Sequence, residues 1–291
     1  MVDITLMQAL INALPHGARL VLVGDADQLP PVGPGNFLRD LITSHRVPTI
    51  QLTEIFRQAQ QSDIVMNAHA VNHGELPVLN RTDRDFFFLR RRDPETVVQT
   101  IAQLCQTRLP KNMGIPATEI QVLSPTRKGE TGTKNLNLAL QAVLNPPAAG
   151  KKEKRYGDFS FREGDRVMQI RNNYDILWKN PNGLGAGTGI FNGDIGVIVQ
   201  IDYEDKRAEY AFDLLGELEP AYAMTIHKSQ GSEYRAVILS AFAGSPYLLT
   251  RSVLYTAITR ARELLIVVGD EEVLAAMVRN DRRQKRYSGL K

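Results

Sequence analysis

The chain has 291 residues, 43% apolar and 23% charged, with a formal net charge of +3. That is enough for one large or two modest domains around a hydrophobic core, and a charge this close to zero does not by itself mark a nucleic-acid binder. A lone cysteine, Cys105, excludes an internal disulfide framework and a cysteine-rich zinc site. No apolar run reaches the ~18 residues that span a bilayer and no signal peptide opens the chain, so a soluble, cytoplasmic protein without a membrane partner is expected.

Helical periodicity is already running at Ile4, Leu6, Met7, Leu10 and Ile11. Residues 19–24 form a short apolar run ending at Gly-Asp, which predicts a buried parallel strand followed by a loop. Pro30, Pro31, Gly33, Pro34 and Gly35 keep the next stretch irregular. A short helix is expected over 36–44, a strand over 49–56, and an amphipathic helix over 62–73 with Asp63 at its start and Gly74 at its end. Strand 86–89, helix 94–107, strand 120–123 and helix 133–144 follow, the last stopped by Asn145-Pro-Pro.

At about residue 148 the texture changes. A polar, Lys-rich connector (148–155) leads into short strand-like pieces at 166–171, 196–201 and 207–212, separated by Gly, Asn and Asp turns. Short strands with such turns predict a small β-barrel. From Tyr222 the α/β texture resumes, with a helix around Ile226, a strand at 236–240, a helix at 253–262, a strand at 264–268 and a basic, fraying tail over 279–291. The layout is α/β, then a small all-β insert, then α/β again. No internal repeat is present.

Four stretches carry chemistry. Gly24-Asp25-x-x-Gln28-Leu-Pro-Pro31 follows a strand tip, the sheet edge where α/β folds bind ligands, and a Gln there can orient a water beside a phosphate. Arg57, past the second expected strand, can grip a phosphate bidentately. Thr225-Ile-His227-Lys228-Ser229-Gln230-Gly231-Ser-Glu233 crowds polar groups at one loop, with Gly231 permitting close backbone approach. Tyr255-Thr-Ala-Ile-Thr-Arg260-Ala-Arg262 presents two arginines that cannot share a helical face. Two weaker signals are Ser124-Pro-Thr126-Arg127-Lys128, hydroxyls and cations suited to phosphate contacts, and Asn173, Tyr174 and Asn192, suited to hydrogen bonding and stacking on a single strand.

In this order the stretches resemble motifs III, IV, V and VI of superfamily 1 DNA helicases of the RecD/TraA type, and the β insert resembles the SH3-like barrel of those helicases. The resemblance implies a RecA-like parallel-sheet domain (2A; 47–154 and 218–291), an inserted SH3-like barrel (2B; 155–217) and the C-terminal part of a first RecA-like domain (1A; 1–46). It implies a 5′→3′ ATP-dependent helicase or translocase of recombination and repair, with ATP and Mg²⁺ as cofactors. Gln28, Arg57 and Arg260 would serve catalysis, Arg260 as arginine finger, with Arg262 an ion-pair partner. Gly24, Asp25, Gly231 and Glu233 would join them around the nucleotide. Pro31, Ser124, Thr126, Arg127, Asn173, Tyr174, Asn192, Thr225, His227 and Lys228 would meet single-stranded DNA; no metal ligand is identified.

No Gly-x-x-x-x-Gly-Lys-Ser/Thr loop occurs in the 291 residues, and no acidic Walker B pair precedes residue 21. Met1-Val2-Asp3 resembles the stretch that follows Walker B in the family, so the N-terminal helicase domain is an expected partner and the fragment is expected to be inactive alone. Whether the parent works alone, with RecB- and RecC-like subunits, or fused to a conjugative relaxase stays open. So does the alternative of a non-catalytic DNA- or partner-binding module.

Overall fold

The computed structural model describes residues 2–53, 59–180, 185–198, 202–203, 206–208, 212–242, 244–282 and 286. Helix α1 (Ile4–Ala13) starts where the Asp3 carboxylate accepts the Leu6 N–H at 2.8 Å. From there to α2 (Phe37–Thr43) the chain has no regular element. The strand expected at 19–23 is absent: Val21 and Val23 are 81% and 94% exposed, and no strand among the described residues offers them a ladder. The strand expected at 49–56 fares the same way, with Ile50 and Leu52 90% and 92% exposed, while 54–58 lie outside the described residues. An apolar run becomes a strand only when a neighbour takes its N–H and C=O groups.

The α/β part is built in order. Helix α3 (Asp63–Asn72) is capped by Ser62, and β1 (Phe86–Arg90) follows. Helix α4 (Pro94–Gln103) begins with an Asp93 cap and Pro94 in its first turn, where a missing N–H does no harm. The helix expected to run unbroken to 107 passes into a π-helical turn (Leu104–Arg108) and then α5 (Leu109–Met113). Strand β2 (Ile120–Ser124) and α6 (Thr133–Leu144) come next.

The β part opens with a hairpin, β3 (Glu153–Tyr156) and β4 (Phe159–Arg162), where only a polar connector was expected before residue 155. Strands β5 (Arg166–Gln169), β6 (Asn173–Lys179), β7 (Ala186–Ile190), β8 (Ile195–Val197), β9 (Asp202–Tyr203), β10 (Lys206–Ala208) and β11 (Leu218–Pro220) form an antiparallel sheet in the order β11-β5-β8-β9-β10-β6-β7. Its own small core contains Phe161, Val167, Ile176, Ile190 and Leu218.

The chain then returns through β12 (Ala223–Thr225), β13 (Tyr234–Ala241), α7 (Arg251–Ile258), β14 (Ala261–Gly269) and α8 (Glu271–Arg279). The main sheet, β1-β14-β13-β2-β12, is parallel throughout. Alternate residues face opposite layers, as the two-residue period of a strand requires. Ile238 and Ile266 pack with Val97, Ile101 and Leu140; Leu239 and Val267 pack with Val71, Leu254 and Met277. Burial on both faces accounts for the unbroken apolar runs.

Two expectations around the site change. The region around Ile226 is strand β12 followed by turns, not a helix. The helix expected over 253–262 stops at Ile258, because Ala261 pairs with Tyr234 and starts β14.

One buried carboxylate joins the two parts. Asp165 accepts from Gln141 Nε2 at 2.6 Å, Asn145 Nδ2 at 2.7 Å, the Arg162 N–H at 2.7 Å and the Tyr222 hydroxyl at 2.9 Å. These donors come from α6 and its C-cap, the end of β4 and the lead-in to β12. Asp165→Asn turns an NH₂ toward existing donors, so it is expected to destabilise by about 2 kcal/mol or more. Urea unfolding should show a lower midpoint with little change in slope; an unchanged midpoint would remove Asp165 from the joint.

Candidate functional site

A cleft of about 480 Å³ lies between the N-terminal segment and the amino edge of the main sheet, where β13 and β14 begin, bordered by Gly24, Asp25, Gln28, Pro31, Gly231 and Arg260. Arg260 is 5% exposed. It donates to Gln28 Oε1 at 3.0 Å, the Ser232 carbonyl at 2.9 Å, the Thr256 carbonyl at 3.3 Å and Thr259 Oγ1 at 3.3 Å. All four acceptors are neutral, and Arg260 has no carboxylate in ion-pair contact among the described residues. A buried guanidinium without a counter-charge is electrostatically unfinished, and an anion entering the cleft would complete it.

The rest of the cleft is held by hydrogen bonds between segments remote in sequence. Gln28 Nε2 donates to Asp25 at 3.1 Å, and the Tyr255 hydroxyl donates to the same carboxylate at 2.9 Å. Burial, then the Asp25 charge, raises the Tyr255 phenol above its ordinary value, so it stays protonated as donor. Thr256 Oγ1 accepts the Leu29 N–H at 3.0 Å, and Gln230 Nε2 donates to the Leu29 carbonyl at 2.8 Å. Gly231, at φ +85°, makes the left-handed turn that carries the chain from Gln230 toward β13.

Gly24, Asp25, Gln28, Gly231 and Arg260 are therefore brought together. Arg57 lies outside the described residues. Glu233 does not border this cleft; it is exposed and lines a second cavity of about 830 Å³ with Arg166, Asp194 and Arg262. Arg262, expected to pair with an acid, is exposed on β14 and makes no ion pair among the described residues, whereas Arg260 lies in the turn between α7 and β14. Sequence reading missed Thr256 and Gln230 as clasps for Leu29. It also missed Arg286, which donates to the carbonyls of Pro31 and Gly33 from within the tail expected to fray.

The residues expected at DNA divide into three groups. Thr225 ends β12, and His227 and Lys228 follow it, beside the β2 tip that carries Thr126 and Arg127. Asn173, Tyr174 and Asn192 cluster in the β part: Tyr174 stands edge-on to Phe191 at 5.6 Å, Asn173 donates to Glu217 at 2.9 Å, and the Asn192 N–H donates to Asn172 at 2.9 Å. Pro31 lies on the cleft rim. Ser124 departs from expectation: it is buried, and its hydroxyl donates to the Thr131 carbonyl at 3.0 Å, so it shapes the turn and offers no surface. Burial, then the Arg286 charge, holds His227 below the ordinary imidazole value, so at neutral pH it is an uncharged hydrogen-bonding group. Among the described residues no cluster of three or more His, Cys, Asp or Glu side chains is placed to hold a metal ion.

Comparison with known proteins bears on all these parts. The ATP-dependent RecD-like DNA helicase SH3 domain matches residues 136–212, the UvrD-like helicase C-terminal domain matches 220–268, and an AAA domain matches 1–87. The chain is 34% identical over 271 residues to the ATP-dependent RecD2 DNA helicase of Deinococcus radiodurans, covering 91% of this chain and 34% of that protein. It is 30% identical over 318 residues to the RecBCD enzyme subunit RecD of Mycobacterium tuberculosis, covering 100% of this chain and 51% of that one. The chain thus spans between a third and a half of the length of these relatives. A solved Pif1 helicase from Bacteroides, in complex with ADP-AlF3 and ssDNA, aligns at 17% identity with a TM-score of 0.42 over 90% of this chain and 63% of that one. With a RecD-like SH3 match set between AAA and UvrD-like matches, and a small antiparallel β module set into a parallel α/β sheet, the chain belongs to the RecD-type helicases of superfamily 1.

Proposed function

We propose that this chain is the second-motor-domain part of an ATP-driven translocase that moves 5′→3′ along single-stranded DNA in recombination and repair. In this reading residues 47–154 and 218–291 form the second RecA-like domain, 155–217 the inserted barrel, and 1–46 the end of the first RecA-like domain. Gln28, Arg57 and Arg260 would surround the γ-phosphate, with Gly24, Asp25, Gly231 and Glu233 around the rest of the nucleotide. Thr126, Arg127, Thr225, His227, Lys228 and the Asn173–Tyr174–Asn192 cluster would line the DNA path.

The observation that carries the reading is Arg260: buried, held by neutral acceptors, and hydrogen-bonded at 3.0 Å to a glutamine 232 residues earlier. As a phosphoryl group transfers, charge builds on its oxygens, and a fixed guanidinium stabilises that charge without reorganising. Gln28 would exchange its bond to Arg260 for one to the attacking water. The opening and closing of the cleft with ATP and its products would then alternate the grip on DNA. ATP would arrive with Mg²⁺ on ligands supplied elsewhere; working partners would be an N-terminal helicase domain and, in one assembly, RecB- and RecC-like subunits.

Three outcomes are expected. In a polypeptide that also carries a phosphate-binding loop, Arg260→Lys should lower kcat for DNA-stimulated ATP hydrolysis by on the order of 10²-fold or more, because an ammonium cannot copy the planar fork. DNA affinity should hardly change, and near-normal turnover would end the finger assignment. Arg127→Ala should do the reverse, keeping basal turnover while weakening binding to single strands and flattening its dependence on log salt by about 0.7. Finally, the 291-residue polypeptide contains no Gly-x-x-x-x-Gly-Lys-Ser/Thr cradle, so alone it should hydrolyse no ATP above a mock purification; DNA-stimulated turnover by the pure chain would refute this.

A further inference from the structure

Glu219 of β11 stands between the two cations expected on the DNA path. Its Oε1 lies 2.9 Å from Arg127 Nη2, and its Oε2 lies 2.6 Å from Lys228 Nζ. Each carboxylate oxygen takes one cation, as the two free oxygens of a phosphodiester would. The two cations come from different tips of the main sheet, past β2 and past β12, and the carboxylate comes from the antiparallel sheet. No feature of the Glu219 neighbourhood in sequence marks it for this position.

The three groups are not equally free. Glu219 is fixed by its strand, which pairs residue for residue with β5 (Glu219 opposite Met168). The Arg127 backbone is also tied down, its carbonyl accepting the Lys134 N–H at 3.1 Å. Its side chain, however, is 68% exposed, and that of Lys228 is 34% exposed. The cations can turn toward an incoming strand while the carboxylate stays behind. The Arg127 contact is the one open to water, and such contacts are weak and readily exchanged; the Lys228 contact is part-buried.

We infer that Glu219 is an internal stand-in for a DNA phosphate, which holds Arg127 and Lys228 when no strand is bound and competes with the strand for them. The inference rests on the DNA-path reading of Arg127 and Lys228 above. Competition has a distinct ionic signature. A phosphate that takes the two cations releases its own counterions, but the abandoned carboxylate attracts one back. Net ion release is therefore smaller than the phosphate contacts alone would produce.

The test uses fluorescence anisotropy with a labelled oligothymidylate over roughly 50–300 mM salt, on Glu219→Gln, Glu219→Asp and the Arg127→Ala/Lys228→Ala double variant, each checked for an unchanged melting temperature. Glu219→Gln keeps the shape and removes the charge. It should bind about threefold tighter or more at the low-salt end, with the log–log salt slope steeper by about 0.7. Glu219→Asp keeps the charge and should stay close to the unaltered chain. Weaker or unchanged binding by Glu219→Gln would overturn the inference, weaker binding meaning that the carboxylate arranges the cations for DNA. The double variant separates the two ideas: if it binds as tightly as the unaltered chain, the DNA-path reading itself fails; if it loses binding while Glu219→Gln is unchanged, only the competition fails.

Discussion

The Asp165 carboxylate, fully buried where the antiparallel sheet meets α6 and β12, sets the relation between the two parts of the fold. Removing an ionised carboxylate from water costs several kcal/mol unless donors replace the lost hydration. Here four donors do so, and they come from three separate stretches of chain. The arrangement holds only if all three stretches are in place together. It therefore fixes where β5 starts and, through the β5–β11 pairing, where β11 delivers Glu219. The neighbouring Arg162 guanidinium adds to the joint by donating to the Asn145 carbonyl and to Glu153.

The N-terminal segment is joined to the main sheet in a different way. Among its described residues, Leu29 is the side chain that packs against the main core cluster. Its attachment is a series of polar contacts: Gln28 with Arg260, Asp25 with Tyr255, the Leu29 backbone with Thr256 and Gln230, and the carbonyls of Pro31 and Gly33 with Arg286. Each such bond contributes only about 1 kcal/mol net, because water offers a comparable partner when it opens. An apolar seam of similar extent would resist separation far more. The polar seam is also where the buried, carboxylate-free Arg260 sits, so the same residues that attach the segment define its cleft.

Much of this was legible in the chain itself. The helix over 133–144, the strands at 86–89 and 120–123 and the change of texture near 148 follow from period, capping and turn residues, all local properties. The motif strings were legible because their residue types are unusual in combination: Gln28 after Gly-Asp, Arg260 after Thr259, and the polar run from Thr225 to Glu233. Local patterns misled where a distant partner decides the outcome. The apolar run at 19–23 has strand composition but no strand beside it among the described residues, and residues 259–262 have helix composition, yet the helix ends in a turn at 259–260 and Ala261 pairs with β13.

What the sequence by itself determined is the class of the fold, the order of its parts and the short list of residues with the chemistry to act, since these rest on periodicity and side-chain type. What only the tertiary structure decided is which of them meet. Gln28 and Arg260 are 232 residues apart, Tyr255 and Asp25 are 230 apart, and Arg127 and Glu219 are 92 apart. Contacts at such separations depend on the parallel order of the main sheet and on how the β insert is seated against it. It is those long-range constraints that bury Ser124, turn Arg262 to solvent and set a carboxylate between two cations.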